Sequence, residues 1–136
     1  MRSLTCIVCP IGCSLEVADM SSADNLSVDG LSVTGNRCPR GAVYAREEIR
    51  APKRVVTATC RVEGAESLVQ RVPVKTVSPC PREKIPALLA DIYKTTVALP
   101  VKAGDVVIAD WNDAGCKDAG INVIATRTFG YAVQKN

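Results

Sequence analysis

The sequence predicts an α+β protein in two parts. A small cysteine-rich N-terminal lobe with a β-hairpin spans residues 1–50, and a small α+β lobe with mostly antiparallel strands and one main helix spans 51–136. Three observations lead there. Four of the seven cysteines fall within the first 38 residues. Period-two alternation recurs in short stretches separated by turn signals. A sustained helical stripe occurs once in the second part, in "REKIPALLADIYK". A chain of 136 residues, 47% hydrophobic and 23% charged, suffices for one ordinary domain, or one domain with a small metal-stapled appendage. There is no strict internal repeat beyond a local "LSV" pair, and no linker long enough to separate two independent domains.

In chain order, "CSLEVADM" alternates as a short strand, and "NLSVDGLSVTGN" reads as two "LSV" strand pieces about Asp29-Gly30, a favoured tight-turn pair. This hairpin region carries the chain from Cys13 to Cys38. "PRGAVYAREEI" contains helix formers without a breaker and stops before Ala51-Pro52, which predicts a helix near residues 40 to 49. "RVVTATCRV" alternates, with Val56, Ala58, Cys60 and Val62 on one face and Val55, Thr57, Thr59 and Arg61 on the other. "EGAES" turns the chain, and "LVQRVPVKT" returns as a second strand, expected near a sheet edge because Pro73 cannot donate to a ladder.

"SPCPREK" approaches a helix over roughly 83 to 95, where Ile85, Leu88, Leu89 and Ile92 form one apolar stripe at i, i+3, i+4 and i+7. Pro86 falls in its first turn, where a missing amide hydrogen leaves no bond unmade. The rest reads as extended: "TTVALPVK", a turn at Ala103-Gly104, "DVVIADW", a loop "NDAGCKDAG" and "INVIATRTF", followed by loose final residues.

Charge and composition narrow the function. The net charge of +3 arises from interspersed basic and acidic residues, and only five aromatic residues are present. Nucleic acid is therefore not an expected partner. The start lacks the apolar run of a signal peptide, and no stretch approaches the roughly 20 apolar residues of a membrane span. The expectation is a soluble, cytoplasmic protein without membrane insertion. No histidine is present, so every site that needs imidazole is excluded. Asp105, Asp110, Asp113 and Asp118 do not match the spacing of an EF-hand loop and are expected in solvent-exposed turns. No nucleophile with an identifiable base emerges, so no catalytic residue is assigned.

The cysteines carry the chemistry. In a reducing compartment disulfides are disfavoured, which moves the expectation toward metal or cluster ligation. Cys6, Cys9, Cys13 and Cys38 form C-x2-C-x3-C-x24-C. Close spacing in a loop lets successive thiolates converge, and a remote fourth closes the coordination once the hairpin folds back. Four thiolates suit zinc and an iron–sulfur cluster alike. Three clustered ligands plus one distant one favour a [4Fe–4S] cluster, with zinc as the main alternative and a [2Fe–2S] cluster or unmetallated thiols behind it. Pro10, Gly12, Pro39 and Gly41 flank the ligands and allow close backbone approach. Arg37 and Arg40 beside the fourth ligand would stabilise a reduced cluster or steer an acidic electron partner; solvated arginines at a helix start are the plainer reading. Cys60 reads as a small buried hydrophobe and Cys80 as a packing residue, while Cys116 sits in a loop as a candidate exposed thiol.

Together "CIVCPIGCSLEV", "VTGNRCPRG", "YAREEIRAPKRVVTATCRVEG", "VPVKTVSPCPREKI", "PVKAGDVVIADW" and "INVIATR" resemble the small proteins with paired CxxC cysteines of domain-of-unknown-function family 1667. The resemblance implies a redox accessory subunit, because family members tend to be encoded beside FAD-dependent dehydrogenases resembling glycerol-3-phosphate dehydrogenase and a pyridine-nucleotide-linked flavoprotein. "GAESLVQ" and "WNDAGCKDAG" look longer than the family's usual pattern, and Cys60, Cys80 and Cys116 are not part of its shared cysteine set. The first lobe is also similar to the N-terminal iron–sulfur domain of molybdopterin oxidoreductases. There a C-x2-C-x3-C stretch and a later C-x-[KR]-G bind one [4Fe–4S] cluster. That resemblance implies Cys6, Cys9, Cys13 and Cys38 as ligands and Arg40 as the basic residue beside the cluster. It stops at this lobe, so only cluster binding carries over.

Overall fold

The computed structural model describes residues 1–19, 30–63, 69–112 and 120–130. The chain divides into two compact units, Met1–Pro52 and Lys53–Asn136.

In the first unit, β1 (Arg2–Thr5), β2 (Ser14–Asp19) and β3 (Leu31–Thr34) form an antiparallel sheet in the order β1-β2-β3. β2 shows the alternation read in "CSLEV": Leu15 and Val17 are buried, Ser14 and Glu16 exposed. The rungs Leu4↔Leu15 and Val17↔Val33 put four apolar side chains on one face. α1 (Pro39–Arg50) covers that face with Gly41 and Ala45, one turn apart. Pro39 opens the helix where its lost amide hydrogen is harmless, and the chain leaves it at Ala51, before Pro52. The core is Cys6, Leu15, Val17, Leu31 and Ala45, with Leu4, Cys13, Val33, Tyr44 and Ile49 packed against it. The second "LSV" of the sequence is β3, paired to β2; the first, at 26–28, and Asp29 lie outside the described residues. β1 was not expected from the sequence: its four residues show too little alternation to register as a strand.

In the second unit, β4 (Lys53–Arg54) pairs with β7 (Cys80–Pro81). β5 (Thr57–Val62), β6 (Arg71–Thr76), β8 (Thr96–Val97), β9 (Val106–Trp111) and β10 (Ile121–Ala125) form a sheet in the order β8-β5-β6-β10-β9. All pairings in it are antiparallel except β5 with β8. A 3-10 turn at Arg82–Lys84 leads into α2 (Ile85–Lys94), with Pro86 in the first turn. Leu88 and Ile92 of the apolar stripe are buried, with Ile85 and Leu89 packed beside them. Cys60, Val72, Val74, Val123 and Cys80 are the centre of this core, each 0–1% exposed.

The expectation that Pro73 marks an edge strand is wrong: β6 is the middle strand of five. Its carbonyl accepts from the Thr126 amide over 2.9 Å, so the amide position of Pro73 faces the same neighbour, one step past the last paired rung Ala125↔Val74. A proline there removes a bond only where the ladder is already ending. Thr76 is buried and satisfied, its hydroxyl accepting from the Val56 amide at 3.0 Å while its own amide donates to the Val56 carbonyl at 2.9 Å. The Trp111 indole donates to Asp91 of α2 at 2.8 Å, tying the last strand residue of β9 to the helix. The register of β9 on β10 slips twice; at this irregular pairing Asp110 takes φ +47 and its amide donates to the Asn122 side chain at 2.8 Å. Asp105 accepts from the Lys102 amide and closes the Ala103-Gly104 turn. Asp113, Cys116, Asp118 and the final residues lie outside the described residues.

Candidate metal centre

The topology of the first sheet gathers the cysteines. β1 ends and β2 begins at the rung Thr5↔Ser14, so Cys6 and Cys13 are the first residues beyond it. The Cys6 amide donates to the Cys13 carbonyl at 2.8 Å and closes the loop between them. Cys9 lies inside that loop, where Gly12 takes φ +62 and donates to the Cys9 carbonyl at 3.4 Å. β3 leaves the sheet at the same end, through the rung Glu16↔Thr34. There Gly35, at φ +83, is pressed so close to β2 that a Cβ on it would stand 2.1 Å from the Ser14 carbonyl oxygen. Cys38 follows three residues later as the N-cap of α1, its carbonyl accepting from the Asn36 side chain at 3.0 Å and the Gly41 amide at 3.2 Å. A Cβ on Gly41 would meet the Asn36 Cβ at 2.9 Å and Leu15 at 3.6 Å, so this glycine lets the helix start lie against the sheet.

All four predicted ligands thus lie at one end of a three-stranded sheet. Cys6 is buried and the other three are half-buried. The six described cysteines, these four with Cys60 and Cys80, carry free thiols. The Arg40 side chain, hydrogen-bonded to the Cys38 sulfur, holds its thiol below the ordinary range; the Gly41 amide acts in the same direction, and slight burial opposes them. A thiol at a helix N-terminus beside a guanidinium favours the thiolate that a metal requires. Arg37 and Arg40 are both exposed. Among the described residues no three Cys, Asp or Glu side chains stand together as a metal-ion site, so the four thiols share an end of the sheet without closing on one centre.

Sequence reasoning named the four cysteines and Arg40 as site residues but not Gly35, whose signal is only a glycine just past a strand. Cys60 and Cys80 belong to the core of the second unit, where burial pushes both thiols up, partly offset by Arg71 and Lys84.

Fold and site define a small α+β protein with four free thiols at one end of its N-terminal sheet. The chain belongs to the family described as Protein of unknown function (DUF1667), whose family model matches residues 39–127. That segment contains Arg40, Cys60, Cys80 and Cys116 and begins one residue after Cys38, so all four candidate ligands lie outside it, although the resemblance read from the sequence reached back to Cys6. No curated protein matches the chain. The NMR structure of protein CPE0013 of Clostridium perfringens is similar at 25% identity, covering 62% of this chain and 92% of that one with a TM-score of 0.49. Among the described residues no helix is long and apolar enough to cross a membrane.

Proposed function

We propose that the Met1–Pro52 unit binds one [4Fe–4S] cluster through Cys6, Cys9, Cys13 and Cys38, and that the protein is an electron-transfer accessory subunit of an FAD-dependent dehydrogenase. The observation that carries the reading is the placement of the β1 exit, the β2 entry and the α1 N-cap at one end of the sheet, each bearing a free thiol. The donor set fits the group in number and softness. The cluster, when bound, supplies one-electron chemistry. The chain's residues would hold and tune it: Cys6 is buried in the apolar cluster of Leu15, Val17, Leu31 and Ala45 and Cys13 packs against that cluster, which would limit water on that side, and Arg40 brings positive charge to the Cys38 sulfur. Drawing the four sulfurs onto one centre is a binding step coupled to folding of the loop between β1 and β2. The flavoprotein partner rests on the family resemblance alone.

The test is protein purified without oxygen and assayed for iron, acid-labile sulfide and zinc. The reading expects iron and sulfide in equal amounts, lost in Cys38→Ser, with the second unit still folded. Colourless protein with one zinc and no sulfide would overturn it in favour of a zinc-stapled interaction protein, since zinc accepts the same four thiolates.

A further inference from the structure

The sheet of the Lys53–Asn136 unit has one covered side and one open side. Its buried strand residues, among them Cys60, Val72, Val74 and Val123, share the side that packs with Leu88 and Ile92 of α2. The rungs Thr57↔Lys75, Thr59↔Pro73 and Arg61↔Arg71 make the other side, and Ile124, opposite both Lys75 and Val106, extends it across β10 and β9. None of these side chains is buried. Arg61, Arg71 and Lys75 stand on it, and among the described residues no carboxylate occupies one of its paired positions; Glu63 lies beyond the last rung of β5.

Among the described residues the hydrogen-bond acceptors that meet Arg71 are neutral. Arg71 donates to the Thr59 hydroxyl at 2.6 Å and to the Thr59 carbonyl at 2.9 Å, and its guanidinium lies 5.9 Å from the centre of the Tyr93 ring of α2, neutral partners that hold it at the rim of this face but leave its charge. A charge held in advance loses less side-chain freedom on binding. Val55 and Val77 continue the alternation two residues beyond Thr57 and Lys75 and, with Val106, are 56%, 59% and 56% exposed. The sequence of this unit carries twelve Lys and Arg against eight Asp and Glu, while the first unit carries five against six.

We propose that this open sheet face docks a partner protein through a carboxylate-bearing surface, with Arg61, Arg71 and Lys75 meeting the carboxylates and the exposed valines meeting apolar side chains. Interfaces combine an apolar centre with charged surroundings in this way, and opposite charge steers the encounter. A phosphate backbone would use the three cations but leave the valines uncovered, and the aromatic ring beside the cations, Tyr93, already lies 5.9 Å from the Arg71 guanidinium. The surface is independent of the thiol site, so failure of one reading leaves the other untouched.

The test titrates the isotope-labelled full chain with a synthetic peptide alternating Glu and Leu, followed by amide chemical shifts, with a single-stranded oligonucleotide of equal charge as the competing probe. Shifts are expected along β5, β6 and Ile124. Affinity should fall about tenfold or more in Arg61→Glu/Arg71→Glu/Lys75→Glu, while Arg82→Glu/Lys94→Glu/Lys102→Glu, with the same charge change elsewhere, stays within about twofold. The neutral pair Arg61→Gln/Lys75→Gln serves if the triple reversal does not fold, and should weaken binding in the same direction. Shifts mapping elsewhere, equal loss in the control, or tighter binding of the oligonucleotide would overturn the proposal.

Discussion

Gly35→Ala tests whether the close approach of β3 to β2 brings Cys38 to the other cysteines. Two costs combine at this position. Its φ of +83 is unfavourable for a side-chain-bearing residue, by about 1–2 kcal/mol. The added Cβ would also stand 2.1 Å from the Ser14 carbonyl oxygen, a backbone atom that no rotamer change can move. Relief requires separating β3 from β2 near the rung Glu16↔Thr34, and losing one or two ladder hydrogen bonds adds about 1–2 kcal/mol. The expected loss is therefore about 3 kcal/mol. A unit of about 50 residues has only about 3–7 kcal/mol to lose. Gly30→Ala is the internal control: its φ is +65 and, among the described residues, nothing stands within 4 Å of the added Cβ, so it bears the backbone cost without that clash. Urea unfolding followed by amide signals of the first unit, together with the metal content of each variant, provides the assay. If Gly35→Ala unfolds like Gly30→Ala and keeps the same metal content, the close approach does not hold the site together.

Two further outcomes follow. In metal-free protein, Arg40→Met should move alkylation of Cys38 to higher pH, because the guanidinium is the main cause of the lowered thiol pKa. A folded pKa below the unfolded one means that the thiolate's contacts favour folding above the unfolded thiol's pKa and fade as pH falls through the folded value; the variant should lose that alkaline advantage, and an unchanged labelling profile would remove Arg40 from the site. In the second unit, Thr76→Val should cost about 1–3 kcal/mol in thermal unfolding because it leaves the buried Val56 amide without its acceptor, and Thr76→Ser should restore most of the loss; equal stability of Val and Ser variants would mean that the hydroxyl contributes nothing.

What the sequence made legible was local. The alternation of Cys60 with Val56, Ala58 and Val62, and the Ile85, Leu88, Leu89, Ile92 stripe, report which face of an element is apolar, and those faces are the ones that reach the core. Neighbour order is a different kind of fact. Pro73 argued for an edge because an interior strand normally donates on both sides, but what matters is whether the partner still has a rung opposite the proline, and β10 stops pairing at Ala125. No pattern within "LVQRVPVKT" contains that length.

The candidate site divides in the same way. Cys6 and Cys13 face each other because β1 and β2 pair up to the rung Thr5↔Ser14, with Cys9 in the short loop between them, and that short loop is visible in the spacing. Cys38 arrives across 24 intervening residues, and the approach that brings it depends on Gly35 against Ser14, two residues whose neighbourhood exists only once β2 and β3 have paired. A cysteine pattern therefore names candidate donors, whereas the residues that bring their strand ends close are small, carry no chemistry of their own, and become visible only as clashes a larger side chain would cause.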